Sequence, residues 1–115
     1  MKNTQSTGLG SIQFGDVLIK IVGNSPQSTV AELHFSAGVK ASTHRHMHEE
    51  YNYVVRGEFE CLCEGRVIRL QVGDTVRVPE NTDHNLHCVG NEDGVILTFW
   101  TPSRVDFIEK LNQPQ

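Results

Sequence analysis

Four side chains in this chain carry the chemistry of a metal site: His44, His46, Glu50 and His84. His44 and His46 are two apart, and residues two apart in an extended strand point to one face. The pair therefore aims two imidazoles at one point. Glu50 follows on the next strand and can bring a carboxylate to the same point. Neutral imidazoles with a carboxylate suit a divalent first-row metal. Downstream, the run from Gly73 to His84, GDTVRVPENTDH, turns at Pro79 and ends on a residue that can add a third imidazole. Such a set leaves two positions open on an octahedral ion, where a hydroxy-carbonyl compound or hydroxy acid can chelate.

Other residues of the same chemical types fit simpler roles. Cys61 and Cys63 share one strand face and read as small core residues; with Cys88 they make an odd count, which argues against a disulfide framework. His34 shares its face with Glu32 and reads as a solvated or hydrogen-bonded strand histidine. His48 and Glu49 fall in the connection between His46 and Glu50 and read as supporting or solvated groups, with His48 a rival to Glu50 as a ligand.

The elements that must position these groups are short strands. Residues 16–22 (DVLIKIV) are rich in β-branched side chains, and residues 29–35 (TVAELHF) alternate. Residues 41–46 carry the His pair out of a strand end, and residues 50–56 form the next strand. EFECLC and RVIRLQ flank a two-residue Glu64-Gly65 turn of hairpin type. TVRVP, HNLHCV and VILTFW follow, so the chain carries about nine strands separated by Gly, Pro and Asn turns. That spacing predicts a β-sandwich, a jelly roll or a small barrel. In RVDFIEKL, residues 104–111, Val105, Ile108 and Leu111 stand at helical spacing, which predicts a short closing helix. Tyr51, Tyr53 and Val55 oppose Glu50, Asn52 and Val54 in parity. One of these two faces lies outside a barrel and needs cover from the terminal strand, the helix or a second subunit; a homodimer is the expectation.

At 115 residues with 37% hydrophobic content, the chain has the size and composition of one domain. We expect a loose N-terminus over residues 1–10 and one barrel over residues 11–115. The scattered Lys and Arg residues and the net charge of -4 show no nucleic-acid footprint. No apolar run is long enough for a membrane span, and the first residues lack the apolar core of an export signal; a cytoplasmic location is the expectation.

The motifs identify a family resemblance. Gly38, His44, His46, Glu50 and Gly57 match, spacing for spacing, the first motif of the cupins, and Gly73, Pro79 and His84 match the second. Asn81 stands where that second motif usually has Gly, and Cys88 where it usually has Asn. Asn tolerates positive φ better than other non-glycine residues. The resemblance spans roughly residues 30–100. It implies an all-β, cupin-type double-stranded β-helix, a jelly-roll barrel, with a short C-terminal helix. It also implies one divalent transition metal (Zn, Ni, Mn or Fe) held by His44, His46, Glu50 and His84.

The tail VILTFWTPSRVDF is similar to that of small cupins linked to pectin breakdown, which help open or ketonise unsaturated uronates. Trp100, Pro102 and Arg104 match that pattern; Thr98 stands in place of an Asp and Ser103 in place of a second proline. The resemblance implies a small acidic substrate, with Arg104 as the catalytic arginine pinning a carboxylate in fork geometry. Arg104 also reads as a helix-start residue in a surface ion pair, and Trp100 as either a sugar-stacking platform or barrel wall. Three activities fit: a metal-dependent lyase, isomerase or tautomerase acting on a small oxygenated acid; an iron-dependent dioxygenase; and a non-enzymatic binder of small ligands.

Overall fold

In the computed structural model, which describes residues 9–113, nine strands and one helix follow in the order β1 (Gly10–Phe14), β2 (Val17–Asn24), β3 (Thr29–Phe35), β4 (Glu49–Arg56), β5 (Glu58–Cys63), β6 (Arg66–Leu70), β7 (Thr75–Val78), β8 (His84–Val89), β9 (Gly94–Thr101) and α1 (Val105–Leu111). Six strands form one sheet in the order β1-β2-β3-β9-β4-β7, and three form a second in the order β6-β5-β8. This is the all-β jelly-roll barrel with a short C-terminal helix that the sequence predicts. Among the described residues, no helix is long and apolar enough to cross a membrane.

The alternation read from the sequence decides which side of each strand faces in. β3 buries Thr29, Ala31, Leu33 and Phe35 and turns Val30, Glu32 and His34 outward. β9 takes a central place between β3 and β4, where Ile96, Thr98 and Trp100 are buried. On the facing sheet Phe59, Cys61 and Cys63 of β5 and Leu86 and Cys88 of β8 complete the core. Burial pushes the Cys61 thiol up to about 12, so it is a protonated packing group and no nucleophile.

Turn chemistry sets the corners. Glu64 and Gly65 have φ of 53° and 74°, the doubly left-handed turn that suits the strand twist of a β5–β6 hairpin. At Gly57, φ is 83° and a Cβ would sit 2.9 Å from the Gly94 Cα; the chain there passes from the large sheet to the small one. Only glycine meets both demands.

Three expectations change. The first described strand is β1, which was not anticipated because GSIQF begins at a glycine next to a polar stretch. The loose N-terminus expected over residues 1–10 falls mostly outside the described residues, and within them β1 already starts at Gly10. The strand expected over residues 41–46 is not regular. Residues 38–44 run along β8 through isolated bridges at Lys40–His87 and His44–His84, so the His pair lies on extended backbone outside any strand. Finally, α1 forms as predicted, but its buried residue is Phe107. Val105 is exposed, while Ile108 and Leu111 pack at the edge of the core.

Tyr51, Tyr53, Val55 and Phe99 stand on the outer face of the six-stranded sheet, each at least 40% exposed. The parity reading of β4 thus holds: Glu50, Asn52 and Val54 face in.

Candidate metal centre

His44 is fixed by its own backbone. Its N–H donates to the His84 carbonyl at 3.0 Å, and the His84 N–H donates back at 2.9 Å. The two residues are therefore locked side by side before their rings are considered. The Thr43 hydroxyl accepts from the buried Asn85 Nδ2 at 2.8 Å, which ties the same segment to β8. Asn81 has φ of 55°, so the turn that usually uses Gly is made here by the residue expected to tolerate it. Its N–H donates to the His46 carbonyl at 2.7 Å, holding the second histidine against the β7–β8 connection.

Each imidazole is also fixed in tautomer. Nδ1 of His44 lies 2.7 Å from the Ser42 carbonyl, that of His46 3.0 Å from the His48 carbonyl, and that of His84 2.8 Å from the Thr82 carbonyl. A carbonyl oxygen only accepts, so each Nδ1 carries the hydrogen. In His44 and His84 Nε2 is then the lone-pair nitrogen of the neutral ring, while His46 Nε2 is engaged with Glu50 Oε1 at 3.0 Å. One ligand nitrogen from each ring comes within 4.8 Å of the others. His84 Nε2 is buried with no hydrogen-bond partner. Converging lone pairs with an orphaned member cost free energy unless a cation sits among them. The donor set fits a divalent transition metal, with each Nδ1–H held as ligating histidines usually are.

Glu50 stands against this group. Its Oε1 is 3.0 Å from His46 Nε2 and 3.6 Å from His84 Nε2; the second distance is that of an ion pair, too long for a hydrogen bond. Oε1 also accepts from Trp100 Nε1 at 2.6 Å, and Oε2 accepts from Asn52 Nδ2 at 2.7 Å. Burial alone would raise the Glu50 carboxyl, but contacts with His46, His84 and Asn52 outweigh it and hold the group well below the usual carboxylate range. Burial likewise pulls His84 down, and the Glu50 carboxylate more than compensates, so His84 sits above its ordinary value. His44 is lowered, chiefly by burial.

His48 is buried, but its Nε2 is committed to the Ser103 carbonyl at 3.2 Å and it is not one of the three convergent rings. His34 hydrogen-bonds to Glu32 at 2.9 Å on the outer face, as expected of a strand histidine. Arg104 combines its two readings. It is buried and lines the same cavity as His44, Glu50 and His84, yet its Nε and Nη2 donate to the carboxylate of Asp106 at 3.1 and 2.9 Å. Its guanidinium carbon lies 3.8 Å from the centre of the Phe107 ring and 4.8 Å from that of Trp100. Trp100 is part of the cavity wall and also a donor to Glu50. Sequence reasoning missed that second role, and it missed Asn52 and Asp106. The parity of β4, which puts Asn52 on the Glu50 face, was the available signal for the first of these two.

The Cupin_2 model, a cupin domain, matches residues 31–100. The chain is 32% identical over 99 residues to the pectin degradation protein KdgF of Dickeya dadantii, covering 84% of this chain and 88% of that protein. Among solved structures, KdgF from a Halomonas species superposes with a TM-score of 0.78 at 28% identity, covering 85% of this chain and 90% of the other. An RmlC-like cupin from Shewanella frigidimarina gives 0.77 at 27% identity, covering 85% and 87%.

Proposed function

Since the chain belongs to the cupin domain family, we propose that its barrel holds one divalent metal and acts on a small oxygenated acid as a lyase, isomerase or tautomerase. The observation that carries this is the convergence of His44, His46 and His84, whose Nδ1 atoms all donate outward to carbonyls and leave the ligating nitrogens facing one another. The ligands we propose are these three with Glu50. The similarity to pectin degradation proteins supports an unsaturated uronate as the substrate.

A bound metal supplies Lewis-acid polarisation of a carbonyl oxygen. The chain's own residues do the rest. Glu50 is kept ionised by Asn52 and the histidines, so it balances cationic charge at the site without needing a proton. The Arg104 guanidinium faces the cavity with donors beyond those given to Asp106 and can take the carboxylate of the acid. Trp100 and Phe107 flank that guanidinium and keep water from one side of it.

Elemental analysis of protein prepared without a histidine tag tests the reading, together with turnover of an unsaturated uronate by protein reloaded with zinc, nickel, manganese or iron. We expect one metal per chain, lost in His46→Ala and His84→Ala while the barrel stays folded, and activity with redox-silent ions. Stoichiometric metal in both variants would sink the ligand assignment. Activity restricted to iron, with oxygen consumed, would replace the Lewis-acid reaction by an oxygenase.

A further inference from the structure

The peptide group that joins Ser103 to Arg104 is gripped at both of its polar atoms. Its carbonyl accepts from His48 Nε2 at 3.2 Å, and its N–H donates to the Thr29 hydroxyl at 2.8 Å. A trans peptide is planar with C=O and N–H on opposite sides. The two bonds therefore pull from opposite directions and fix the plane from which the Arg104 side chain departs. The Thr29 hydroxyl donates onward to Asn24 Oδ1 at 2.7 Å. Thr29, His48, Ser103 and Arg104 are all buried, where such bonds are stronger than in water.

His48 also reaches the metal centre. Its carbonyl accepts from His46 Nδ1 at 3.0 Å, and the two rings stand edge to face with centres 5.4 Å apart. His48 thus holds one convergent ring with its backbone and the root of Arg104 with its side chain. Packing alone does not account for an imidazole here. The Ser103 carbonyl only accepts, so His48 Nε2 carries the hydrogen. The other nitrogen, Nδ1, is buried with no hydrogen-bond partner, a cost in free energy that a hydrocarbon side chain would not incur. Local costs of this kind are expected where a residue serves a site.

We propose that His48, together with Thr29, is a positioning residue. Their clamp on one peptide group holds the Arg104 guanidinium at a set distance from the three convergent histidines, so that one small acid can meet both. The inference rests on the reading of Arg104 as the partner of the acid's carboxylate and adds what aims it.

Trp100 is the single tryptophan of the chain, and the Arg104 guanidinium carbon lies 4.8 Å from its ring centre. Its emission therefore reports on Arg104 without metal or turnover. His48→Leu removes the donor at similar volume, His48→Gln keeps an N–H near the place of Nε2, and Thr29→Val removes the hydroxyl with little change of shape. We expect a shifted emission maximum in His48→Leu and Thr29→Val and the native one in His48→Gln. Affinity for an unsaturated uronate is read as KM, or by quenching of Trp100 in zinc-loaded protein. It should fall roughly three- to tenfold in His48→Leu and Thr29→Val, what one neutral hydrogen bond is worth. Zinc affinity by calorimetry should hold, because the bond to His46 comes from the His48 backbone. In an Arg104→Ala background, His48→Leu should cost no further affinity, since nothing is left to aim. Native emission and affinity in both His48→Leu and Thr29→Val overturn the inference while Arg104→Ala still weakens uronate binding. Equal losses from His48→Leu with and without Arg104 overturn it too and reduce His48 to support of the fold. If Arg104→Ala leaves uronate affinity unchanged, or the unaltered protein neither binds nor turns over the acid, both this inference and the reading it rests on fall.

Discussion

Trp100 and Glu50 are direct partners across β9 and β4, and the Trp100 indole N–H donates to Glu50 Oε1 at 2.6 Å. One register step away, Thr98 pairs with Asn52, and the Thr98 hydroxyl donates to Asn52 Oδ1 at 2.8 Å. That bond fixes which end of the amide is which, so Nδ2 is turned to Glu50. Two strands thus hold both oxygens of one carboxylate, which then needs no rearrangement when the histidines take up a cation.

Trp100→Phe keeps an aromatic ring beside Arg104 and removes only the donor. We expect metal affinity to fall by about tenfold or more, the size of effect seen when a group supporting a ligand is lost. Stability should fall by about 1.5–3 kcal/mol, the value of a hydrogen bond to a charged group. Calorimetric titration with zinc checks the first, and thermal unfolding followed by circular dichroism the second. Unchanged metal affinity would reduce the indole to packing.

Metal should change how stability responds to pH. In metal-free protein, His84 is raised above its ordinary 6.5 and Glu50 held well below its ordinary 4.5. The His84 contribution is fully present below 6.5 and is lost as pH rises through the raised value. The Glu50 contribution is present above 4.5 and is lost as pH falls through the depressed one. Their joint stabilisation is therefore greatest between about 4.5 and 6.5. Metal requires unprotonated rings, so the loaded protein should gain in melting temperature as pH climbs out of that window. Parallel melting curves across pH 4–8 decide it; identical profiles would contradict the His84–Glu50 coupling.

His44, His46 and His84 were legible because a metal needs particular donors at close quarters, and spacing on extended backbone suffices to bring the first two together. Their support was not legible. Whether Trp100 packs or donates depends on its register opposite Glu50, and register is set by two sheets closing on each other. Arg104 looked like either a cavity residue or a helix-start ion pair; burial of its stem with an exposed Asp106 at its fork makes it both. β1 was hidden for a different reason. GSIQF has little hydrophobic contrast, and what marks it as a strand is its pairing to β2 over all five residues.

We propose that a second copy of the chain covers the outer sheet face, forming the homodimer anticipated from the parity of β4. Tyr51 and Tyr53 lie beside Leu97 and Phe99 there, with the Glu49–Arg77 ion pair at the margin. A two-fold contact would stack aromatic on aromatic and place those charged pairs at its rim, where they favour register over affinity. Tyr53→Glu should convert a dimer to a monomer in sedimentation equilibrium with little loss of metal. A monomer in the unaltered protein at high micromolar concentration would end this assignment.

Asp106 and a substrate carboxylate would compete for the same guanidinium. Arg104→Ala removes the fork and should raise KM for an acidic substrate by about ten- to a hundredfold, the worth of a charge-assisted hydrogen-bond pair, with metal content unchanged. Arg104→Lys should recover only part of this, because an ammonium cannot make two parallel bonds. Asp106→Asn leaves Arg104 stacked on Phe107 but weakens its internal partner, so KM should fall severalfold. If Arg104 instead serves only to anchor the start of α1, Arg104→Ala and Asp106→Asn will both lower the melting temperature and neither will move KM. Opposite signs of the KM change in the two variants are the signature of a guanidinium shared between the helix and the acid.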